Sequence, residues 1–521
     1  MPAKWLKDAV FYEIYPQSFF DSNGDGIGDL NGIIEKLDYI RALGCNALWI
    51  NPCFDSPFKD AGYDVRDYKK VAPRYGTNDD LYRLFGAAHE KGIRVLLDLV
   101  PGHTSEEHPW FLESKKPEKN EYSGRYIWTD SWFRGCRNIP AIGGEAERNG
   151  VYLLNFFKCQ PALNYGFLKP EENWQPPIDH PDAVATREAI KDVMRFWLRH
   201  GCDGFRVDMA NSLVKYDDEN KSATSAIWRN VREMLNAEFP QAAMVAEWSC
   251  PPQALRAGFD MDFYLNWDNN GYGALMREYG NAGRTPGAPD DSYFRRDSSH
   301  DITRFLAEYM VWYRDTRGLG YISLVTCNHD TTRPRFNMDE SELKLAYAFL
   351  FTMPGVPFLY YGDEIGMRYL NLPTKEGGYT RTGSRTPMQW NAGKNLGFSA
   401  GSPDSLYLPV DPSPDAPTVE AQTGDPASLL ETVRAILALR HAQEDLQADA
   451  EFEPLCALPG RPLVYRRGHL LLALNAAAEA AKTAIDSAGR QLIFTIGSAD
   501  LGKGGLTLGA QSFAVLGEKR R

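Results

Sequence analysis

Short apolar runs, rich in β-branched and aromatic residues, alternate with longer amphipathic segments along most of this 521-residue chain. Alternating strands and helices predict a parallel sheet with crossover helices. Eight such units predict an α/β fold, a closed (β/α)8 TIM barrel. An open doubly wound sheet is less favoured, because no Gly-rich phosphate-binding turn follows the first run. The eight runs are 11–15, 47–50, 95–100, 205–208, 244–248, 263–265, 323–327 and 357–361.

The spacing of the runs also divides the chain. More than a hundred residues separate the third run from the fourth, far more than a crossover helix needs. We therefore predict a small inserted domain after the third strand. Beyond residue 447 the pattern changes to short strand-like runs, which predict a C-terminal all-β domain, a β-sandwich. The predicted segments are 1–103 and 181–447 for the barrel, 104–180 for the insertion and 448–521 for the β-domain.

Composition excludes several classes of partner. Lys and Arg number 57 against 69 Asp and Glu, a net charge of −12, so neither nucleic acid nor an anionic membrane is an expected partner. No apolar run reaches 18 residues, and no signal peptide is expected. The eight scattered cysteines contain no CxxC pair and are expected to be reduced. We expect a cytoplasmic protein that acts on a small molecule as a monomer or weak homo-oligomer.

Polar residues end several of the predicted strands, and in a barrel the carboxyl ends of the strands share one face. Two carboxylates across a glycosidic bond supply a nucleophile and a general acid/base. Arg206 shares a strand face with Asp208, and its charge is expected to keep Asp208 ionised. Glu247, beside Trp248, is the candidate general acid. The strand-end residues are His103, Arg206, Asp208, Glu247, His329 and Asp330.

Longer motifs carry a resemblance to a known family. They include 9–19 (AVFYEIYPQSF), 23–32 (NGDGIGDLNG), 62–68 (GYDVRDY) and 385–390 (RTPMQW), together with the strand-end stretches. Taken together they resemble the α-amylase family of retaining glycosidases, glycoside hydrolase family 13. The most similar branch is that of the oligo-1,6-glucosidases and bacterial α-glucosidases.

The resemblance implies a function and a role for each matching residue. Asp208 matches the nucleophile that forms a covalent glucosyl-aspartate, Glu247 the general acid/base, and Asp330 the carboxylate that holds the 2- and 3-hydroxyls. Asp60 and Arg385 match the pair that closes the pocket around the 4-hydroxyl. The resemblance thus implies a retaining, exo-acting α-glucosidase that hydrolyses short α-linked gluco-oligosaccharides by double displacement. The remaining substrate-binding residues are Tyr63 as an aromatic platform, His103, His329 and Arg206.

The loop after the first predicted strand resembles the start of a calcium loop. Side-chain oxygens stand at its first, third, fifth and ninth positions, and Gly26 stands at the sixth. Gly32 occupies the twelfth position, so the loop is not an EF-hand. The resemblance implies one structural Ca²⁺ here and no metal in catalysis. The implied ligands are Asp21, Asn23, Asp25, Ile27 and Asp29.

Three positions depart from the family pattern and leave the linkage preference open. Gly102 replaces an Asn, Ala162 replaces an Asp, and Met209 follows the nucleophile where Val or Thr is common. Within the family the alternatives are a sucrose- or trehalose-type isomerase, a transglycosylase and a trehalose-6-phosphate hydrolase. A catalytically inactive carbohydrate-binding relative is the alternative of another class, disfavoured because the three carboxylates are present.

Overall fold

Eight parallel strands form the centre of the computed structural model. The structure describes residues 2–266, 270–279, 290–299, 301–377, 381–459, 462–485, 488–502 and 504–519. Neighbouring strands follow chain order from the first to the seventh, and the eighth pairs with the first. The strands are β1 (Phe11–Ile14), β2 (Ala47–Ile50), β3 (Arg94–Leu99), β4 (Gly204–Val207), β5 (Ala243–Ala246), β6 (Met261–Phe263), β7 (Tyr321–Ser323) and β8 (Phe358–Tyr360).

The residues after β7 close the sheet into a barrel. Val325 pairs with Phe358, and the Phe358 amide donates to the Leu324 carbonyl oxygen over 3.0 Å. The predicted (β/α)8 barrel is therefore confirmed. The sequence places the seventh strand at 323–327, whereas its ladder with β6 covers Tyr321–Ser323, because the residues that follow pair with β8 instead.

Helices cover the outside of the barrel. Helix α5 buries residues at i, i+3 and i+4 spacing from Ala183 to Trp197, and Pro181 begins it. Helix α10 (Glu340–Thr352) is buried almost all round, because it packs against the helix Leu429–Ala442 and against the C-terminal strand Ser512–Glu518. No helix in the described ranges has both the length and the hydropathy to cross a bilayer. The helices are α1 (Leu30–Glu35), α2 (Leu37–Leu43), α3 (Asn78–Glu90), α4 (Pro109–Ser114), α5 (Pro181–Arg199), α6 (Ser222–Glu238), α7 (Pro251–Arg256), α8 (Gly271–Met276), α9 (Thr303–Thr316), α10 (Glu340–Thr352), α11 (Val419–Gln422) and α12 (Leu429–Ala442).

The segment between β3 and α5 lies against the carboxyl end of β3. Its hairpin pairs Ala141–Gly143 with Val151–Leu153. The Leu163 amide donates to the Gly102 carbonyl oxygen over 3.1 Å, which ties the segment to the residues that follow β3. The inserted segment therefore forms part of the wall around the strand ends. Two further hairpins pair Phe54–Asp55 with Asp67–Val71 and Glu278–Tyr279 with Asp290–Asp291.

The end of the chain is all-β, as predicted. One antiparallel sheet has the order β9-β10-β11-β16-β13, and a smaller one has the order β12-β15-β14. The Tyr465 hydroxyl and the Thr352 hydroxyl lie 2.7 Å apart, which joins the larger sheet to α10. The strands are β9 (Phe452–Cys456), β10 (Leu463–Arg467), β11 (Leu470–Asn475), β12 (Ala481–Thr483), β13 (Arg490–Ile496), β14 (Ala499–Gly502), β15 (Gly505–Leu508) and β16 (Ser512–Glu518). The boundaries of the four predicted segments stay predictions.

Candidate active site

One buried guanidinium group joins three carboxylates at the strand ends. Arg206 on β4 lies directly beside Asp98 on β3 in the ladder, and its Nη1 donates to Asp98 Oδ1 over 3.0 Å. The same Nη1 donates to Asp208 Oδ1 over 3.0 Å. The other end, Nη2, lies 3.0 Å from Glu247 Oε2. Arg206, which the sequence predicts on the same strand face as Asp208, thus brings the predicted pair Asp208 and Glu247 together.

The carboxylates in this cluster compete for a single cation. Burial, followed by the neighbouring Glu247 carboxylate, raises the pKa of Asp208 well above its usual value, although Arg206 works to lower it. Burial likewise raises the pKa of Asp98 to about 6. Arg206 acts on Asp208 in the expected direction, and burial and the neighbouring carboxylates act against it; that Asp208 is ionised stays a prediction.

A backbone turn fixes the Glu247 carboxylate. Met209, immediately after the predicted nucleophile, has a φ of 41°, and its amide donates to Glu247 Oε2 over 3.0 Å. The Ala210 amide donates to the Glu247 carbonyl oxygen over 3.2 Å. Glu247 is therefore oriented by the turn after β4 as well as by Arg206.

Two arginines hold Asp330. Arg385 Nη2 donates to Asp330 Oδ1 over 2.7 Å, and Arg381 Nη1 donates to the same oxygen over 2.9 Å. Burial works to raise the pKa of Asp330, but the guanidinium groups of Arg381 and Arg385 outweigh it and hold that pKa well below its usual range. Asp330 is therefore a permanent anion, suited to accept hydrogen bonds from sugar hydroxyls.

Arg381 also donates to Asp60, whose Oδ2 accepts from Gln160 Nε2 over 2.7 Å. Arg381 therefore bridges Asp60 to Asp330, and Arg385, on the same Asp330 oxygen, donates through Nε to the His329 carbonyl oxygen over 2.8 Å. That Asp60 and Arg385 close the pocket around a sugar hydroxyl stays a prediction. The sequence analysis missed Arg381. Its only local signal is its position four residues before Arg385.

Tyr63 and His329 stack, with ring centroids 5.4 Å apart and ring planes 15° apart. The Tyr63 hydroxyl lies 2.7 Å from His329 Nε2 and donates to Asp98 Oδ2 over 3.1 Å. On the far side of the imidazole, Nδ1 lies 2.9 Å from Glu13 Oε1. Burial lowers the pKa of His329 well below its usual value, so the ring is a neutral hydrogen-bonding group. Glu13 and Asp98 were not predicted as site residues.

His103 lies in the same wall, and its contacts include the inserted segment. Its Nε2 lies 3.1 Å from the Tyr63 carbonyl oxygen, and its Nδ1 lies 3.1 Å from Asn155 Nδ2. Burial lowers the pKa of His103 to about 3, so this ring is also neutral. The sequence analysis missed Asn155 and Gln160, because only the docking of the inserted segment places them here.

In the loop after β1, side-chain oxygens accept hydrogen bonds from backbone amides of the same loop. Asp21 accepts from the Gly26 amide over 2.7 Å, Asn23 Oδ1 from the Asp25 amide and Asp25 Oδ1 from the Ile27 amide, both over 2.9 Å. Asp29 caps α1. Among the described residues, no three His, Cys, Asp or Glu side chains are grouped to hold a metal ion. Ca²⁺ binding would therefore depend on the Asn23 and Ile27 oxygens as well, and oxygen donors of this kind are those that Ca²⁺ prefers.

Comparison with known proteins identifies the family. The model of the alpha-amylase catalytic domain matches residues 13–449. The chain therefore belongs to the alpha-amylase family, and it is a glycoside hydrolase of the class that the barrel and its carboxylates define.

Particular relatives fall in two groups. The chain is 36% identical over 506 residues to the trehalose synthase/amylase TreS of Mycolicibacterium smegmatis, which covers 89% of this chain and 80% of that protein. It is 32% identical over 521 residues to an oligo-1,6-glucosidase of Heyndrickxia coagulans, with 89% of each chain covered. Among solved structures, the trehalulose synthase MutB of Pseudomonas mesoacidophila superposes with a TM-score of 0.79 at 25% identity, covering 100% of both chains.

Proposed function

We propose that the chain is a retaining, exo-acting α-glucosidase that hydrolyses short α-linked gluco-oligosaccharides. The observation that carries the proposal is the position of Arg206, which contacts Asp208 through one nitrogen and Glu247 through the other. Both carboxylates are thereby presented at the same strand ends. That is the arrangement that a nucleophile and a general acid/base need on either side of one glycosidic bond.

In the first step Asp208 attacks the anomeric carbon while Glu247 donates its proton to the departing glycosidic oxygen. Glu247 is placed to supply this proton, because its carboxylate lies on the other nitrogen of the guanidinium that contacts Asp208. Ester formation then removes one negative charge from the cluster. Glu247, which has given up its proton and still contacts Arg206, is the carboxylate that activates water in the second step. Two inversions at the anomeric carbon give retention.

The proposal of exo-action rests on the charged and polar side chains around Asp60. Asp60 is held by Arg381 and Gln160, and Arg381 continues to Asp330. These buried polar groups are suited to the hydroxyls of a terminal glucose. One glucosyl unit at a non-reducing end is therefore the proposed donor.

A second candidate is the isomerisation of a disaccharide. It is favoured by the names of the relatives, a trehalose synthase/amylase and a trehalulose synthase, at 36% and 25% identity. The first step would be the same, and the released sugar would return through a different hydroxyl in place of water. The two functions differ in the acceptor and share the residues described above.

Product analysis separates these functions. The purified protein is incubated with maltose, isomaltose, sucrose, trehalose, trehalose 6-phosphate and maltotriose, with Asp208→Asn as the control. Release of α-glucose from maltose or isomaltose supports the glucosidase and reports the linkage. A rearranged disaccharide supports the isomerase. Turnover of none of the six would overturn both candidates and favour a binding protein.

We also propose that loop 21–29 binds a structural Ca²⁺ ion. The side-chain oxygens of Asp21, Asn23 and Asp25, which accept from backbone amides of the same loop, support this proposal. A bound ion would stabilise the loop between β1 and α1 and would take no part in the chemistry at Asp208.

A further inference from the structure

Asn155 lies beside two of the three positions at which the sequence departs from the family pattern, Gly102 and Met209. Its Nδ2 lies 3.1 Å from His103 Nδ1 and 3.8 Å from Met209 Sδ. A Cβ atom on Gly102 would lie 2.7 Å from the same nitrogen, closer than real Cβ contacts permit. Ala162 pairs with His103 in an isolated β-bridge. One amide on the inserted segment therefore occupies the space that the small residue at 102 leaves open.

Lys215 determines which way this amide faces. Its Nζ donates to Asn155 Oδ1 and to the Ser212 carbonyl oxygen, each over 3.1 Å. An ammonium group has donors and no acceptor, so the amide oxygen must face Lys215 and the amide nitrogen must face His103. Lys215 is buried and has no ion-pair partner in the described part of the chain. Burial lowers its pKa to about 8.

The orientation of the amide in turn fixes His103. Because Asn155 Nδ2 is a donor, Nδ1 of His103 must be the acceptor, and the proton of the neutral ring lies on Nε2. That proton is directed at the Tyr63 carbonyl oxygen, 3.1 Å away. The order of donors thus runs in one direction, from Lys215 through Asn155 and His103 to Tyr63.

We propose that Asn155 is a positioning residue, which holds His103 in its Nε2–H tautomer and fixes the plane of the ring. The Nε2–H group, which here donates to the Tyr63 carbonyl oxygen, is then the donor that His103 offers to a sugar hydroxyl. The inference rests on the proposed function, because His103 is a substrate-binding residue only there. It also accounts for Gly102: a side chain at that position would displace Asn155 from His103.

Asn155→Asp tests the proposal with little change in size. The new carboxylate can pair with Lys215 but cannot donate to His103 Nδ1, so the melting temperature should not fall. The value of kcat/KM for the best substrate should fall about tenfold, the typical worth of one hydrogen bond near its upper range. Asn149→Asp is the matched control: Asn149 is exposed on the same inserted segment, and its side chain donates to the Asp130 carbonyl oxygen. This control should keep the parental kcat/KM.

A double-mutant cycle shows whether the effect passes through His103. In a His103→Ala background, Asn155→Asp and Asn155→Ala should cause no further loss of kcat/KM. Gly102→Ala, which pushes the amide away, should lower kcat/KM about as much as Asn155→Asp. Parental kcat/KM in Asn155→Asp and Asn155→Ala, or an undiminished loss in the His103→Ala background, would overturn the proposal.

Glucose binding, measured by calorimetry on the same variants, separates this inference from the proposed function. If the parent chain turns over no glucoside, the proposed function fails. An affinity for glucose that is about tenfold weaker in Asn155→Asp, but parental in Asn149→Asp, would still support the positioning role. Equal affinity in the parent and Asn155→Asp would overturn it.

Discussion

Replacing Arg381 by Met tests the electrostatic organisation of the pocket. The Arg381 side chain is 8% exposed and bridges Asp60, 4% exposed, to Asp330. Removing one partner of a buried ion pair costs about 3–5 kcal/mol, because the other charge stays buried without compensation. For 521 residues the unfolding entropy is about 1.1 kcal/mol/K, so the melting temperature should fall by about 3–5 °C near neutral pH.

The loss should depend on pH in a definite direction. Burial already raises the pKa of Asp60, and Arg381 is the largest influence that lowers it. Without Arg381 this pKa rises further, so folded Asp60 binds a proton at a pH where the unfolded chain, with a carboxyl pKa of about 3.9, has released it. Stability therefore falls as the pH rises through that range. The deficit of Arg381→Met should be smaller at about pH 5 than at about pH 8.

Thermal unfolding followed by tryptophan fluorescence at these two pH values provides the assay. Arg256→Met is the control, because Arg256, 52% exposed, pairs with Asp315, 45% exposed. An ion pair of this kind contributes about 0–1 kcal/mol, so its loss should be small at both pH values. Equal melting temperatures in the two variants, or a deficit for Arg381→Met that does not shrink at low pH, would refute the reasoning.

Three further predictions concern the catalytic pair, the loop and the N-terminus. Asp208→Asn and Glu247→Gln should each reduce glucose release at least about a thousandfold. Asp208→Asn should keep or raise the melting temperature, because it removes a charge that burial disfavours; parental turnover in either variant would contradict the assigned roles. A chelator should lower the melting temperature and added Ca²⁺ restore it, whereas identical melting curves would exclude an ion in loop 21–29. The bond to Asp8 raises the pKa of His441, so the stability it adds is present below the unfolded pKa of about 6.5 and lost as the pH rises through the folded value. His441→Gln should therefore cost more stability at about pH 6 than at about pH 9, and thermal melts with the reverse order would contradict this sign.

Local patterns in the sequence were sufficient for the barrel and for most of the residues at its strand ends. A strand can be predicted from a run of about four to six residues, and the residue at its end can be read from the same stretch of sequence. Asp208, Glu247 and Asp330 could be placed on one face because parallel strands that close into a barrel present their carboxyl ends together. The all-β C-terminal domain could also be predicted from local sequence, since the prediction depends on short apolar runs.

The tertiary structure alone decided which charged groups share a partner. Arg381 and Asp60 are 321 residues apart in the chain, so no spacing rule links them, and Arg385 was an equally charged candidate for the same role. The raised pKa of Asp208 depends on how many carboxylates burial gathers around Arg206, a number that strand patterns do not contain. Asn155 reaches His103 only because the inserted segment docks against the end of β3, where Gly102 leaves it room. Contacts of this kind depend on the packing of segments that are far apart in the chain. The periodicity of apolar residues predicts only the secondary structure that residues close in sequence form.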